Sequence, residues 1–425
     1  MKKINDLINK IKRSGDGRVL ISNFGYLALL QCAGYIFPLI TMPYLARVIG
    51  ASGFGKIAFA SAIVIWALTI ADWGFSFTAT RDVAQNKNDS EVVSRIFSNV
   101  LWARILLTSL SFVILMAITF FIPSFHENLN VILATFLLIP GHIFFPDWFF
   151  QAVEKMKYTT IFNLTIKLLF TIAVFLFITS PEDYILQPLL ISAGYAICGI
   201  VSLWLILGKW GYKLHRPKWA NIVSTIKGST DVFLNNLMPN LYNSFSMILL
   251  GIWGGSVANG LFDGGNKFVS IFYNFQSVLS RVFFPFLSRH TTKHKLFAYI
   301  NIGSASFGAL FLFIFAPFII HIMLGDGFSE SVVVMRVLAV SLIFLSMDNT
   351  YGPNYLIIHH KEKPLRNITL ISSVFGMLCA IPLVKVYSYL GAAFCILICR
   401  GLLGILSYWL AHKHMKENSI QTNPL

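Results

Sequence analysis

Apolar runs of spanning length recur along the chain at about 20–44, 56–77, 97–122, 131–150, 161–179 and 186–207. A second set follows at about 232–253, 265–285, 298–323, 332–356, 367–386 and 390–410. A bilayer core takes roughly 20 apolar residues of helix to cross, so each run can span. The pattern predicts an all-α polytopic membrane protein with twelve transmembrane helices. The runs at 56–77, 232–253 and 332–356 are the least apolar and the richest in Ser, Asn and Gly, as expected of helices that line a bundle. Ahead of the first run, Ile4, Leu7, Ile8 and Ile11 stand at helical spacing among Lys2, Lys3, Lys10, Lys12, Arg13 and Arg18. Residues 1–18 therefore read as an amphipathic cytoplasmic segment. No cleavage site follows, which argues against a signal peptide.

Composition agrees with the pattern: 56% of the 425 residues are hydrophobic and 12% charged, more apolar surface than a soluble core can hide. The net charge of +15 would suggest nucleic acid until the bases are placed. Of 33 Lys and Arg, 24 fall in the two terminal segments and in alternate loops, such as Lys209, Lys213, Arg216, Lys218 and Lys227 in the longest. Four lie at the opposite ends of the runs: Arg47, Lys56, Lys267 and Lys385. The positive-inside rule puts both termini in the cytoplasm. The basic charge is then topological, and nucleic acid is not an expected partner.

Between the first two runs, Gly50, Gly55 and Lys56 fit the G-x-x-x-x-G-K part of a phosphate-binding loop, but Ile57 stands where a Ser or Thr must hold Mg²⁺. The orientation also puts this stretch outside, where ATP is not found. Gly50, Gly53 and Gly55 instead suit a tight outer turn and close helix packing.

Shifting the chain by 205 residues lays Leu45 on Leu250, Gly50 on Gly255 and Gly55 on Gly260. At nearly the same offset, the stretch leaving the fourth run, Gln151 to Lys157, falls near Tyr355 to Lys363, which leaves the tenth. Two matches at a common offset predict a parallel internal repeat of six helices each, related by an axis along the membrane normal. The expected organisation is a first lobe over 19–207, a cytoplasmic linker over 208–231, a second lobe over 232–411 and a cytoplasmic tail over 412–425.

Five bases remain inside the runs: Arg104, Lys167, Arg281, Arg336 and Arg400. Facing all of them to lipid would cost on the order of 15 kcal/mol, so most must face a wet cavity, an acid or a helix end. Arg281 and Arg336 lie near run ends and can snorkel; Arg104, Lys167 and Arg400 sit deeper. The acids in the runs are Asp72, Asp147 and Asp348. Asp147 and Asp348 occupy similar places in the two halves, where either could hold a neighbouring base or take up a coupling proton, with pairing preferred. The excess of bases predicts an anionic ligand, and Arg suits a diphosphate because its planar fork binds phosphate oxygens bidentately. There is no H-E-x-x-H, G-x-S-x-G or Cys/His cluster, so no catalytic or metal-binding constellation is expected. His142 and His321 stand alone, and His290, His294, His359, His360, His412 and His414 read as solvated loop residues.

Pro43 to Gly50 with Gly53 and Gly55, Asp72-Trp-Gly74-Phe with Ala79-Thr80-Arg81, and Pro146-Asp-Trp148-Phe-Phe-Gln151 through Met156 resemble the polysaccharide exporter family. The likeness is strongest to its O-antigen (Wzx-type) flippases, within the superfamily that includes the MATE exporters. It covers nearly the whole chain and is weaker in the second half. The resemblance implies two MATE-like lobes around a cationic central cavity and alternating access. It also implies translocation of an undecaprenyl-diphosphate-linked oligosaccharide from the cytoplasmic to the periplasmic leaflet of the bacterial inner membrane. The polyprenyl tail would stay in lipid. On that reading Arg104, Lys167, Arg281, Arg400, Arg336 and Arg47 bind substrate, and Asp72, Asp147 and Asp348 serve charge pairing or ion coupling. The protein would be a monomer without a cofactor, coupled to H⁺ or Na⁺, in contact with membrane lipids and the O-antigen polymerase machinery. Two alternatives stay open. A MATE-like exporter of organic cations would want acids in excess over bases, and the related lipid II flippases have two further helices that the run pattern here lacks.

Overall fold

The computed structural model describes residues 15–422, and every regular element among them is helical. The amphipathic helix expected over 1–18 lies almost wholly outside the described residues. In chain order the helices are α1 (Gly15–Asp72), α2 (Phe75–Gln85), α3 (Ser90–Phe121), α4 (Pro123–Glu127) and α5 (Leu129–Phe136). Next come α6 (Leu138–Phe144), α7 (Asp147–Ala152), α8 (Met156–Phe177), α9 (Leu186–Leu203) and α10 (Trp219–Leu237). The chain ends with α11 (Asn243–Trp253), α12 (Gly255–Arg289), α13 (His294–Leu324), α14 (Ser331–Tyr351) and α15 (Glu362–Thr422).

Eight helical segments among the described residues are long and apolar enough to cross a membrane, where the sequence led us to expect twelve. Part of the difference is that neighbouring runs are fused. Leu29–Gln85 and Glu362–Glu417 are 57 and 56 residues long, about 85 Å at 1.5 Å per residue. Each is interrupted by a non-helical residue, Gly50 (φ 64°, ψ −179°) and Ser388 (φ 49°, ψ −128°). Elsewhere the helix is long but too polar, as in the 35-residue α12 with Asp263, Lys267 and Arg281. The run expected over 232–253 is broken by a short turn, Met238–Leu241, that carries Pro239.

Packing divides the chain into two units. The first joins the described residues up to 48 with 64–236, and the second joins 49–63 with those from 237 onward. Residues 208–231, read as a linker from sequence, hold most of α10 and belong to the first unit.

In the first unit, proline punctuates one span. Pro140 cannot donate to the Phe136 carbonyl, nor Pro146 to that of His142, and the helix breaks accordingly into α5, α6 and α7. The second break throws Trp148, Phe149 and Phe150 into an aromatic knot with Phe97, Tyr212 and Trp210. Phe97 and Phe149 have ring centroids 5.0 Å apart, Phe149 and Tyr212 5.2 Å, and Phe150 and Trp210 5.7 Å. Lys155 closes the knot with Nζ 3.8 Å from the Trp210 centroid, and its burial there lowers the ammonium pKa from its usual value. The family-like motif residues of this region therefore build a scaffold. On the other side α10 meets the turn before α2 and the start of that helix: Trp73 stacks on Phe233 at 3.8 Å, and the Thr78 and Ser229 hydroxyls share a hydrogen bond of 2.7 Å.

In the second unit α14 packs against α13, α12 and α15, and α11 lies along α15. The glycine echo is visible here as a helix crossing. Gly50 and Gly255 both take positive φ, 64° and 79°, a conformation open to glycine at little cost. Five residues on, the helices touch through backbone: a Cβ on Gly55 would lie 1.6 Å from the Ser256 carbonyl oxygen, and one on Gly260 2.0 Å from that of Ala51. Ser52 and Ser256 hydroxyls bond across the same crossing at 3.0 Å. The glycines thus pack α1 against α12, where sequence suggested packing between the first two spans.

Candidate functional site

The buried charges form one polar cluster in each unit. In the first, Arg104 projects from α3 and is 1% exposed. Its Nη2 donates to Asp72 Oδ1 at the end of α1, and Ser76, one turn further on, donates its hydroxyl to the same oxygen at 2.8 Å. The remaining Arg104 donors, Nε and Nη1, are buried without a hydrogen-bond partner among the described residues. His142 of α6 lies within electrostatic reach of Asp147, Arg104 and Asp72, and its Nδ1 is likewise buried and unsatisfied. The Tyr195 ring stands 5.9 Å from it. Gly141 and Gly199 allow this approach, since a Cβ on Gly199 would meet the Gly141 carbonyl at 3.0 Å.

Lys167, on α8, is half-buried and has no ion-pair partner among the described residues. Its Nζ packs on α1 at Gly34, where a Cβ would sit 3.3 Å away.

In the second unit, Arg400 of α15 is 7% exposed. Its Nη1 donates to the Ser341 hydroxyl at 2.8 Å, and its Nε has no partner among the described residues. Tyr242 and Tyr273 lie within its electrostatic reach, and both also reach Asp348. Asp348 itself accepts from the Ser407 hydroxyl at 2.7 Å. No described carboxylate forms an ion pair with Arg400.

Charge pairing was open to Asp72, Asp147 and Asp348, and of the three it is Asp72 that holds the buried base. Asp147 starts α7 and turns its carboxylate back onto the Trp148 amide at 2.8 Å, and Asp348 is satisfied by a serine. Helix rotation decides this, and the run pattern does not contain it. The other bases lie further out, although Arg281 shares Tyr273 with Arg400 within electrostatic reach. Arg281 is exposed and bonds the Ser277 carbonyl of its own helix at 3.3 Å. Arg336 bonds the Phe313 carbonyl at 3.1 Å and lies over that ring. Arg47 is exposed three residues before Gly50.

A family model described as polysaccharide biosynthesis protein matches residues 20–291 of the chain, well over half of it. The chain belongs to that family. Among curated relatives, a "Putative O-antigen transporter" of Escherichia coli K12 is 25% identical over 390 residues, 88% of this chain and 92% of the relative. A protein of the same name from Shigella dysenteriae is 26% identical over 389 residues, 90% and 97% of the two chains. Among solved structures, the lipid II flippase MurJ in an inward closed conformation superposes with a TM-score of 0.70 at 14% identity, covering 91% of this chain and 87% of that one. A MATE protein in complex with MaD3S gives 0.59 at 13% identity, covering 98% and 99%. The fold is MurJ- and MATE-like, and the chain is a multi-pass membrane protein.

Sequence reasoning passed over several residues in this family member. His142 looked isolated because its neighbours Asp72, Arg104 and Asp147 come from three other helices; the signal was the Pro146 break that brings Asp147 back beside it. Tyr242, Tyr273, Ser341 and Ser407 carry no charge and stood out in no scan. His294, read as a solvated loop residue, is 6% exposed and bonds the Thr350 carbonyl at 3.0 Å.

Proposed function

We propose that this protein is a flippase, a transporter and not an enzyme, of the bacterial inner membrane. It moves an undecaprenyl-diphosphate-linked oligosaccharide repeat unit from the cytoplasmic to the periplasmic leaflet by alternating access. Membership of a polysaccharide biosynthesis family, the names of the two curated relatives and a fold shared with a lipid II flippase support the reading. Twelve spans are also part of it: dividing the two fused segments at Gly50 and Ser388, and adding α12 and the α10–α11 pair, brings the eight segments to that number. With an even count and the basic loops as placed above, both termini lie in the cytoplasm.

The observation that carries the proposal is Arg400. A buried guanidinium that meets the Ser341 and Tyr242 hydroxyls and no carboxylate among the described residues keeps its Nε donor for an anion, and a diphosphate matches its fork. Lys167 supplies a second uncommitted cation in the other unit, whereas Asp72 neutralises Arg104. Asp147 with His142 in one unit, and Asp348 in the other, are the groups through which H⁺ or Na⁺ coupling would act.

Deletion of the gene tests this directly. Surface polysaccharide should be lost, and lipid-linked repeat units should accumulate on the inner leaflet, identified by mass spectrometry of the trapped lipid. Normal polysaccharide with no trapped lipid would sink the flippase reading, and trapped lipid II would replace its substrate.

A further inference from the structure

Ala79 and Arg81, from the second half of α2, line a cavity of about 220 Å³ within the first unit. Two further helices complete it. From α3 come Ile96, Asn99 and Val100 at i, i+3 and i+4, which turn one face of that helix to the cavity. From α10 come Ser224, Thr225, Gly228 and Ser229, none larger than threonine, so α2 and α10 leave a gap although they touch at Thr78 and Ser229. A Cβ on Gly228 would meet no heavy atom within 4 Å. The cavity lies beside the loop that carries Lys87 between α2 and α3, a basic loop and so cytoplasmic in the orientation proposed above.

The lining is polar without net charge. Arg81 sets Nε and Nη2 on Asp82 Oδ1 at 2.9 and 2.8 Å, and no other charged side chain lines the cavity among the described residues. The Asn99 amide and the Ser224 hydroxyl make no hydrogen bond among the described residues, and each can both donate and accept. Ile96, Val100 and Ala79 supply apolar ground between these groups. An anion would meet the Asp82 carboxylate and a cation the Arg81 guanidinium. An apolar molecule would strip water from the amide and hydroxyl and return no hydrogen bond. A sugar ring suits both kinds of surface, because its hydroxyls donate and accept while its C–H faces can lie on aliphatic side chains. Pockets for drug-sized ligands run from about 300 to 1,000 Å³, so a cavity of about 220 Å³ admits a single ring and excludes a chain of them.

On the flippase reading above, we infer that this cavity is a sugar subsite. It holds one ring of the lipid-linked repeat unit on the cytoplasmic side, with Asn99 and Ser224 bonding the ring hydroxyls. The glycan and the diphosphate are then recognised by different residues.

Two lipids separate the glycan from its carrier: the lipid-linked repeat unit extracted from cells that make it, and undecaprenyl diphosphate without sugar. Each is titrated onto the full-length protein in detergent, and the bound fraction is read by native mass spectrometry. The unaltered protein should bind the glycosylated lipid about tenfold more tightly, the worth of roughly two neutral hydrogen bonds. Gly228→Leu, which fills the open space without a clash, should bring that affinity down to the level of the bare carrier. Asn99→Ala should do the same by removing the amide. Both variants should bind the bare carrier as the unaltered protein does and elute as one sharp peak. Equal affinity of the unaltered protein for the two lipids would mean that the cavity holds only water, and would overturn the subsite while leaving the flippase reading in place. A tenfold preference kept by both variants would overturn it as well, by putting the sugar elsewhere. Binding of neither lipid would remove the flippase reading and the subsite together.

Discussion

Arg104 and Arg400 are both arginines buried in membrane-spanning helices, and the two units hold them in opposite ways. Arg104 meets a carboxylate, Asp72, which a second donor, Ser76, holds in place. Arg400 meets a hydroxyl, with phenols nearby and its local acid, Asp348, turned to Ser407. Each charge placed mid-membrane costs roughly 2.5–3.5 kcal/mol on insertion scales. The first unit offsets that cost with a carboxylate, and the second offers Arg400 only hydroxyls among the described residues, which is why it is proposed as the substrate cation. A buried arginine in a transporter is therefore a ligand candidate only after its carboxylates have been located.

The largest effect should come from breaking the neutral pair on one side only. Arg104→Met leaves the half-buried Asp72 carboxylate with only the Ser76 hydroxyl, and removal of one partner from a buried pair costs up to about 3–5 kcal/mol. The variant should be lost from membranes or elute as aggregate. Asp72→Leu with Arg104→Met should recover a monodisperse protein, since apolar replacement of both partners is close to neutral. If the double variant also restores polysaccharide export, the pair is structural; a folded double variant that exports nothing would erase the contrast between the units.

Arg400→Met should do the reverse. No carboxylate is orphaned, so expression and elution should match the unaltered protein, while export falls by roughly 10- to 100-fold, the worth of a charge-assisted hydrogen bond to phosphate. Export at the normal rate would falsify the assignment of Arg400 to the substrate. Lys167→Met should fall between the two in kind and below both in size: folded, with export down by about tenfold at most, because a half-buried ammonium retains some of its hydration. Unchanged export would leave the first unit without a substrate cation.

Much of this contrast could be approached from sequence and the rest could not, for a physical reason. Hydrophobic runs, glycine spacing and the presence of Arg104, Lys167 and Arg400 inside apolar stretches are local properties of the chain. The 205-residue echo of Gly50 and Gly55 was equally visible, although its outcome, Gly55 against the Ser256 backbone, was not. Pairing is different. Asp72 lies 32 positions from Arg104 and Ser407 lies 59 from Asp348, and which side chains meet across such separations depends on helix rotation and on breaks such as that at Pro146. The same limit hid His142 and the meeting of Phe233 and Ser229 of α10 with Trp73 and Thr78.

The smallest effect separates two explanations of Arg400. If Ser341 only satisfies the guanidinium, Ser341→Ala leaves one more buried donor unpaired and should destabilise the protein by about 1–3 kcal/mol, seen as a lower melting temperature with export per folded molecule unchanged. If Ser341 also aims the fork at its anion, export per folded molecule should fall by a few-fold, and Ser341→Thr, which keeps the hydroxyl, should restore it. The serine in the first unit supplies the control. Ser76 donates to a carboxylate that already holds its arginine, so Ser76→Ala should lower stability alone. A matching loss of export in Ser76→Ala would mean that Arg104 is aimed at substrate as well, and that the two units differ less than their pairing suggests.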